Sequence, residues 1–327
     1  MNLLNIKPHV VSRDLSGYIT LVYGAPKTGK TTLATQMPGS LLLAFEKGYN
    51  AIPGVIAQDI TTWGELKQVV RELKKDEVKA VYKSIVIDTI DIAADCCQKY
   101  ICTQLGIESI GDGGWTNNGW ARYKKEFEDV FRTITQLGYA VFFISHQKEK
   151  TITPKQGKEY VQICPSLQSS ALTIVENMAD IYGYAHQERS ESGKAVVRLT
   201  LRSDDGSVAC GGRFKYIPSE IDFSYQALSD ALIQAIDKEA SEHGNQYVTD
   251  ERIETVAAPE YDFTKLCTEF EEITGELMLK DSGFYQPRIV MIVDKYLGKG
   301  KKVSSATPDQ AELIYLIVNE IKDEYMK

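Results

Sequence analysis

Tyr23-Gly24-Ala25-Pro26-Lys27-Thr28-Gly29-Lys30-Thr31-Thr32 is the stretch that decides how this chain folds. Gly24 to Thr31 spells G-x-x-x-x-G-K-T, in which glycines let the backbone curl until its N–H groups converge on phosphate oxygens. A β-rich run, Gly17 to Tyr23, leads into it. A helix-forming run, Lys30 to Met37, leaves it and stops at Pro38-Gly39. The order strand, loop, helix is what a phosphate cradle needs, because the helix adds its positive end to the anion site. Gly24, Ala25, Pro26, Lys27, Thr28, Gly29, Lys30, Thr31 and Thr32 are therefore the expected nucleotide-binding residues. Lys30 should reach the β- and γ-phosphates of ATP, and the Thr31 hydroxyl should ligate Mg²⁺.

Such a loop works with an acidic residue at the end of a second buried strand. Ile85-Val86-Ile87-Asp88 supplies one, and Asp88 is expected to hold the Mg²⁺ water shell, or to cap the following helix, or both. Leu41-Leu42-Leu43-Ala44-Phe45-Glu46 is another buried strand, ending in glutamate. A carboxylate beside the γ-phosphate can orient a water and accept its proton. Phe142-Phe143-Ile144-Ser145-His146-Gln147 ends a further strand in polar groups. A guanine-reading N/T-K-x-D loop and an arginine-rich kinase lid are both absent from the sequence, which removes GTPases and nucleoside kinases.

Outward from these stretches, strand-like and helix-like segments alternate through the first 240 residues. Thr62 to Lys75 is amphipathic, helices are expected at about 91–105 and 120–137, and Gly106 to Gly119 is a Gly-rich loop. Strands are expected at Tyr139 to Ser145 and Asp180 to Ala185. Continuous apolar strands alternating with helices predict an α/β fold, a mostly parallel sheet covered on both faces. Val196 to Arg202 and Val208 to Ile217 flank Ser203-Asp204-Asp205-Gly206 and predict an antiparallel extension. Ser241 to Pro259 reads as a linker. Beyond it come helices only: Ile289 to Leu297 ended by Gly298, and one opening at Thr307-Pro308-Asp309-Gln310. The expected domains are a core over 1–240, a linker over 241–260 and a small helical C-terminal domain over 261–327.

The 327 residues are 43% hydrophobic and 25% charged, ordinary for a globular protein. Apolar runs reach about six residues, where a membrane span needs about 18. With no basic-then-apolar N-terminal stretch, the expected location is the cytoplasm. The six cysteines contain no C-x-x-C pair, which argues against zinc or a disulfide framework. Cys96, Cys97 and Cys102 share one expected helix as small apolar residues. Net charge is −8, and residues 245–327 carry 16 Asp/Glu against 10 Lys/Arg. The bulk field does not attract nucleic acid, so any DNA contact needs a local basic patch.

The chain resembles phage-encoded RecA-like P-loop ATPases, the AAA-family phage nucleotide-binding proteins that include Sak-type single-strand annealing recombinases. The matching stretches are Tyr23 to Thr32, Ala44 to Tyr49, Ile85 to Thr89, Phe143 to Gln147 and Gly211-Gly212-Arg213-Phe214-Lys215-Tyr216-Ile217, within about residues 10–240. Two positions depart from cellular RecA: Ala44 stands where an acidic residue precedes the catalytic glutamate, and Ser145-His146 stands for asparagine-glutamine. The resemblance implies a RecA-like fold and roles for single residues. Glu46 would polarise the attacking water. His146, with Gln147 second, would sense the γ-phosphate and signal to DNA-contacting loops. Arg213 would act as an arginine finger on a neighbour's ATP, with Arg198 and Arg202 as runners-up.

The implied function is that of an ATP-hydrolysing phage recombination protein, annealing or exchanging single-stranded DNA as a homo-oligomer in the host cytoplasm. A single-strand-binding protein or other phage replication proteins are the implied partners. A helicase or helicase-loader motor and an ATP-gated DNA-binding scaffold with little turnover are the alternatives. The DNA-contacting element is expected in the loop Gln147 to Tyr160, with Lys148, Lys150, Lys155 and Lys158 against Glu149 and Glu159, Gly157 for flexibility and Tyr160 for base stacking. Lys299, Lys301 and Lys302 form a second small basic cluster.

Overall fold

The computed structural model describes residues 7–112, 118–154, 158–190, 193–253 and 261–326. Contacts divide it into two compact units, Met1–Ala257 and Ala258–Lys327. The first begins with β1 (Val11–Ser12), β2 (Ile19–Gly24), α1 (Lys30–Ala34), β3 (Ser40–Ala44) and β4 (Ala57–Asp59). Next come α2 (Trp63–Glu72), α3 (Asp76–Val81), β5 (Ser84–Asp88), α4 (Ile90–Leu105) and α5 (Gly119–Gln136). The chain continues through β6 (Ala140–Ile152), β7 (Tyr160–Pro165), α6 (Ser169–Met178), β8 (Ile181–Arg189) and β9 (Ala195–Thr200). It closes with β10 (Gly211–Gly212), β11 (Glu220–Asp222), α7 (Tyr225–His243) and β12 (Val248–Thr249).

The main sheet runs β11-β9-β8-β2-β6-β5-β3-β4, and β4, β3, β5, β6, β2 and β8 are mutually parallel. Alternation along the strands feeds two cores. Leu21, Leu43, Ile85, Ile87, Val141 and Phe143 face one helical layer with Phe127 and Phe131 of α5. Val22, Leu42, Val86, Phe142 and Ile144 face the other with Leu228 and Leu232 of α7. Each such buried side chain contributes about 1.5–3 kcal/mol. Local chemistry starts the helices: Thr62 and Glu65 form a reciprocal capping box on α2, and Ser224 caps α7. Gly106, in the left-handed region, ends α4.

Four readings change. The strand expected to end at Ser145 continues to Ile152, because Gln147 to Ile152 pairs antiparallel with β7. The expected loop from Gln147 is therefore a hairpin; Lys155 and Gly157 lie outside the described residues. Val208 to Ile217 is not the partner of β9. Within it Gly211–Gly212 pairs with β8, Val208 makes a single parallel bridge to Ile163 of β7, and the outer neighbour of β9 is β11. The Ser203–Ser207 segment is a turn held by Asp205, which accepts from Ser203 Oγ, Ser207 N and Ser207 Oγ. The expected linker belongs in part to the core. Helix α7 runs to His243, β12 pairs with β1, and the Arg252 guanidinium donates to Lys83 O and Gly138 O at the starts of β5 and β6. Residues 254–260 lie outside the described residues. Finally, β4 and α3 were not legible: three residues beside β3, and a six-residue helix with no buried residue.

The second unit holds α8 (Phe263–Leu297), which contains one non-helical residue, Asp281, and α9 (Ala311–Tyr325). Thr307 and Gln310 form the expected capping box, on a 3₁₀ turn leading into α9. Ile273, Leu277, Ile292, Ile314, Ile317 and Ile321 make its core.

Candidate functional site

Register places the phosphate loop. Gly24, the last residue of β2, lies between His146 of β6 and Ala185 of β8. A Cβ on Gly24 would come 2.2 Å from Ala185 O, so no side chain is tolerated there. Gly29 has φ +88°, the left-handed conformation that glycine takes without steric cost. Lys27, at φ 65°, takes it with a side chain, a local strain of the kind found at binding loops. The Thr28 hydroxyl donates to Ala25 O at 3.0 Å and braces the curl.

Lys30 Nζ donates to Gly24 O at 3.0 Å and to Ala25 O at 2.8 Å. Its ammonium is buried, and burial pulls its pKa down against the opposing pull of Asp88, Glu46 and Asp91. The Thr31 hydroxyl donates to Asp88 Oδ2 at 2.6 Å. Phe45 N and Glu46 N both donate to Asp88 O, at 2.7 and 3.2 Å, which ties the exit of β3 to the end of β5. The point a Cβ on Gly48 would take is 3.6 Å from Thr31 Oγ1, 3.7 Å from Asp88 Oδ2 and 4.0 Å from Glu46 Oε1. Three oxygens from three elements thus surround one small region, and Gly48 leaves it open. Sequence reading had not singled out Gly48; its signal was its place two residues past Glu46.

Asp88 is 2% exposed, and burial pushes its carboxyl up to about 6, with Glu46 adding to the rise and the Thr31 hydrogen bond and Lys30 opposing it. A divalent cation would relieve both the burial and the repulsion, and hydroxyl plus carboxylate oxygens are the donors Mg²⁺ takes. Thr31 and Asp88 would hold it, and it would supply charge neutralisation for the phosphate oxygens. The sign for the metal-free protein follows. A carboxyl whose folded value lies near 6, above its ordinary 3.8, holds its proton more tightly when folded. Its burden on stability is absent below about pH 4, grows as pH rises through 4–6, and is constant above. Asp88→Asn is expected to stabilise the metal-free protein by roughly 2–3 kcal/mol at pH 8 and by little at pH 4, while removing Mg²⁺-dependent binding. Urea titrations at the two pH values check this; a destabilised variant at pH 8 contradicts it.

His146 stands beside the loop by strand pairing, and its Nε2 is 3.5 Å from Glu46 Oε2. Asp91 is engaged by its neighbours. It accepts from Ser145 Oγ (3.1 Å), Ser166 Oγ (2.5 Å) and His146 N (3.3 Å). Asp91 therefore joins the outgoing and returning legs of the β6–β7 hairpin to the start of α4, and is not free to replace Glu46 as a base. Asp91→Ala removes the acceptor shared by Ser145 Oγ, Ser166 Oγ and His146 N, leaving the fully buried Ser145 hydroxyl only His146 O, and is expected to cost about 1–3 kcal/mol in a urea melt; an unchanged midpoint would deny the clamp.

Arg213 is not brought to this site. It follows β10, which pairs with the start of β8, and Ile181 there lies beside Thr20 of β2. Gly24 is four residues further along β2, about 13 Å away. Arg213 lies 3.2 Å from Asp180 and donates to Asn177 O. Its own phosphate loop is thus toward the opposite end of the strands. The runners-up are also engaged: Arg198 with Glu188 and Asp222, Arg202 with the carbonyls of Phe214 and Lys215. Among the described residues there is no cluster of three or more metal-binding side chains of the His, Cys, Asp and Glu type, and no helix long and apolar enough to cross a membrane.

The sequence matches the family model of the AAA domain over residues 16–213, a span that contains the phosphate loop, Glu46, Gly48, Asp88, Asp91, His146 and Arg213. It is also similar to the SPbeta prophage-derived uncharacterized protein YorG of Bacillus subtilis (strain 168), 30% identical over 99% of this chain and 98% of that one. The matched span covers more than half of the chain and includes the loop between β2 and α1, the acid at the end of β5 and the glutamate beyond β3, and the chain belongs to the AAA domain family.

Proposed function

We propose that this protein is an ATP-hydrolysing recombination protein of phage origin that acts on single-stranded DNA as an oligomer. The carrying observation is β6. It lies between the phosphate-loop strand β2 and the acid strand β5, a placement that supports a RecA-like core, and brings His146 beside Gly24 and Glu46. It then runs without a break into an exposed hairpin. Pairing of Lys150 with Gln162 and Ile152 with Tyr160 puts Lys150 and Tyr160 on one face and Glu149 with Val161 on the other. Lys150, Lys158 and Tyr160 are exposed, a cation and stacking pair of the kind that holds a single strand. Lys148 is spent differently, donating to Ser166 O and Leu167 O. A change at the γ-phosphate felt by His146 and Glu46 reaches the hairpin through one strand. The prophage origin of the relative supports the phage setting.

ATP hydrolysis with and without oligo-dT tests this. Lys150→Glu with Tyr160→Ser is expected to abolish the DNA-stimulated rate, leave the basal rate unchanged and weaken oligo-dT binding at least about tenfold. Wild-type turnover that ignores DNA, or a variant that binds oligo-dT normally, would sink the reading.

Arg213 enters only across a subunit boundary, in a head-to-tail assembly that sets the β10 edge of one sheet against the next phosphate loop. Mixing Arg213→Ala subunits with Lys30→Ala subunits is then expected to restore part of the activity that each lacks alone. Full activity of Arg213→Ala by itself would remove this arginine from the site.

A further inference from the structure

The C-terminal unit carries a groove that the nucleotide chemistry does not use. Its volume is about 310 Å³. Helix α8 breaks at Asp281, and residues from both sides of the break, Phe270 and Ile289 with Val293, form the apolar wall together with Val303. Val290, 49% exposed, continues that wall to the surface. One lip is cationic. Gly298 and Gly300, at φ 99° and 79°, turn the chain after α8, and Gly300 N is fixed on Asp294 Oδ1 at 2.8 Å. The turn sets Lys301 and Lys302 on the groove, exposed, with Lys299 next to them.

These lysines differ from others of the unit. Lys265, Lys295 and Lys322 pair with Asp262, Glu320 and Glu269. Lys299, Lys301 and Lys302 have no carboxylate within salt-bridge distance among the described residues, although residues 261–326 hold 12 Asp/Glu against 8 Lys/Arg. In an acidic unit, an unneutralised trio on the lip of an apolar groove is a specific charge pattern. We infer that this groove docks an acidic peptide segment of a partner protein, with a bulky apolar side chain in the groove and carboxylates on Lys301 and Lys302. The volume suits one large side chain and part of a second. A nucleic acid strand fits less well, because the groove is walled by Phe270, Ile289, Val293 and Val303 and takes an apolar side chain, which a sugar-phosphate backbone does not supply. The inference does not rest on the nucleotide reading.

The test uses the full chain and a fluorescein-labelled peptide of three aspartates followed by leucine and phenylalanine. Saturable binding in the micromolar range is expected, weakened by salt. Replacing the leucine and phenylalanine by serine, or the aspartates by lysine, is expected to remove it. Lys301→Glu with Lys302→Glu, and separately Val290→Glu, change only exposed positions and are each expected to weaken binding at least about tenfold. Circular dichroism should show both folded, and their basal ATP turnover should equal that of the wild type. Absence of saturable peptide binding to the wild type, or equal binding to the lysine double variant, overturns the inference. So does oligo-dT binding lost in that double variant while peptide binding persists, since the lip would then serve DNA.

Discussion

Lys30→Ala is expected to lower ATP hydrolysis by at least about 10²–10³-fold and to remove most ATP binding, with the fold intact. The ammonium is held on the carbonyls of Gly24 and Ala25, inside the curl of the loop. It is the one cation of the phosphate loop that is buried, where a charge interacts through a low dielectric. Alanine leaves Gly24, Gly29 and the strand pairing of β2 untouched, so circular dichroism should not change. Titration calorimetry with ATP and a phosphate-release assay measure the two losses. Normal turnover in this variant would end the assignment of the site.

Glu46→Gln is expected to keep ATP binding and to slow hydrolysis by about 10²–10⁴-fold, the range that a positioned base contributes. The amide has the shape of the carboxylate but does not accept the water's proton. Glu46 is half-exposed at the mouth of the site, beside His146 and close to Thr31 and Asp88, so the substitution disturbs no core packing. A single-turnover measurement with bound ATP separates chemistry from binding. Wild-type turnover would make Glu46 a bystander, and with Asp91 occupied by Ser145, Ser166 and His146 N, another group of the site would have to serve as the base.

The two variants draw on different kinds of information. Lys30 is recognisable from its immediate neighbours alone. Glu46 was readable as an acid at a strand end, but what seats it beside Asp88 is the pairing of β3 with β5, forty residues later in the chain, with Phe45 N and Glu46 N fixed on Asp88 O. Arg213 was expected to act on a neighbour's ATP, and the pairing of β10 with the start of β8 sets it away from its own phosphate loop.

What this sequence determined by itself was whatever depends on neighbours within a few residues. That covers the phosphate loop, which needs glycine at a left-handed position and at a close backbone approach, and the caps at Thr62 and Thr307, where the side chain meets an N–H three residues on. It also covers the buried strands, whose continuous apolar character reflects helices on both faces. The tertiary structure alone decided strand order, the length of β6 beyond its apolar part and the place of Arg252. It also decided the clamp at Asp91. Hydrogen bonds between distant strands and through single side chains leave no periodic trace in a sequence. A polar run such as Gln147 to Ile152 looks like a loop until β7 pairs with it.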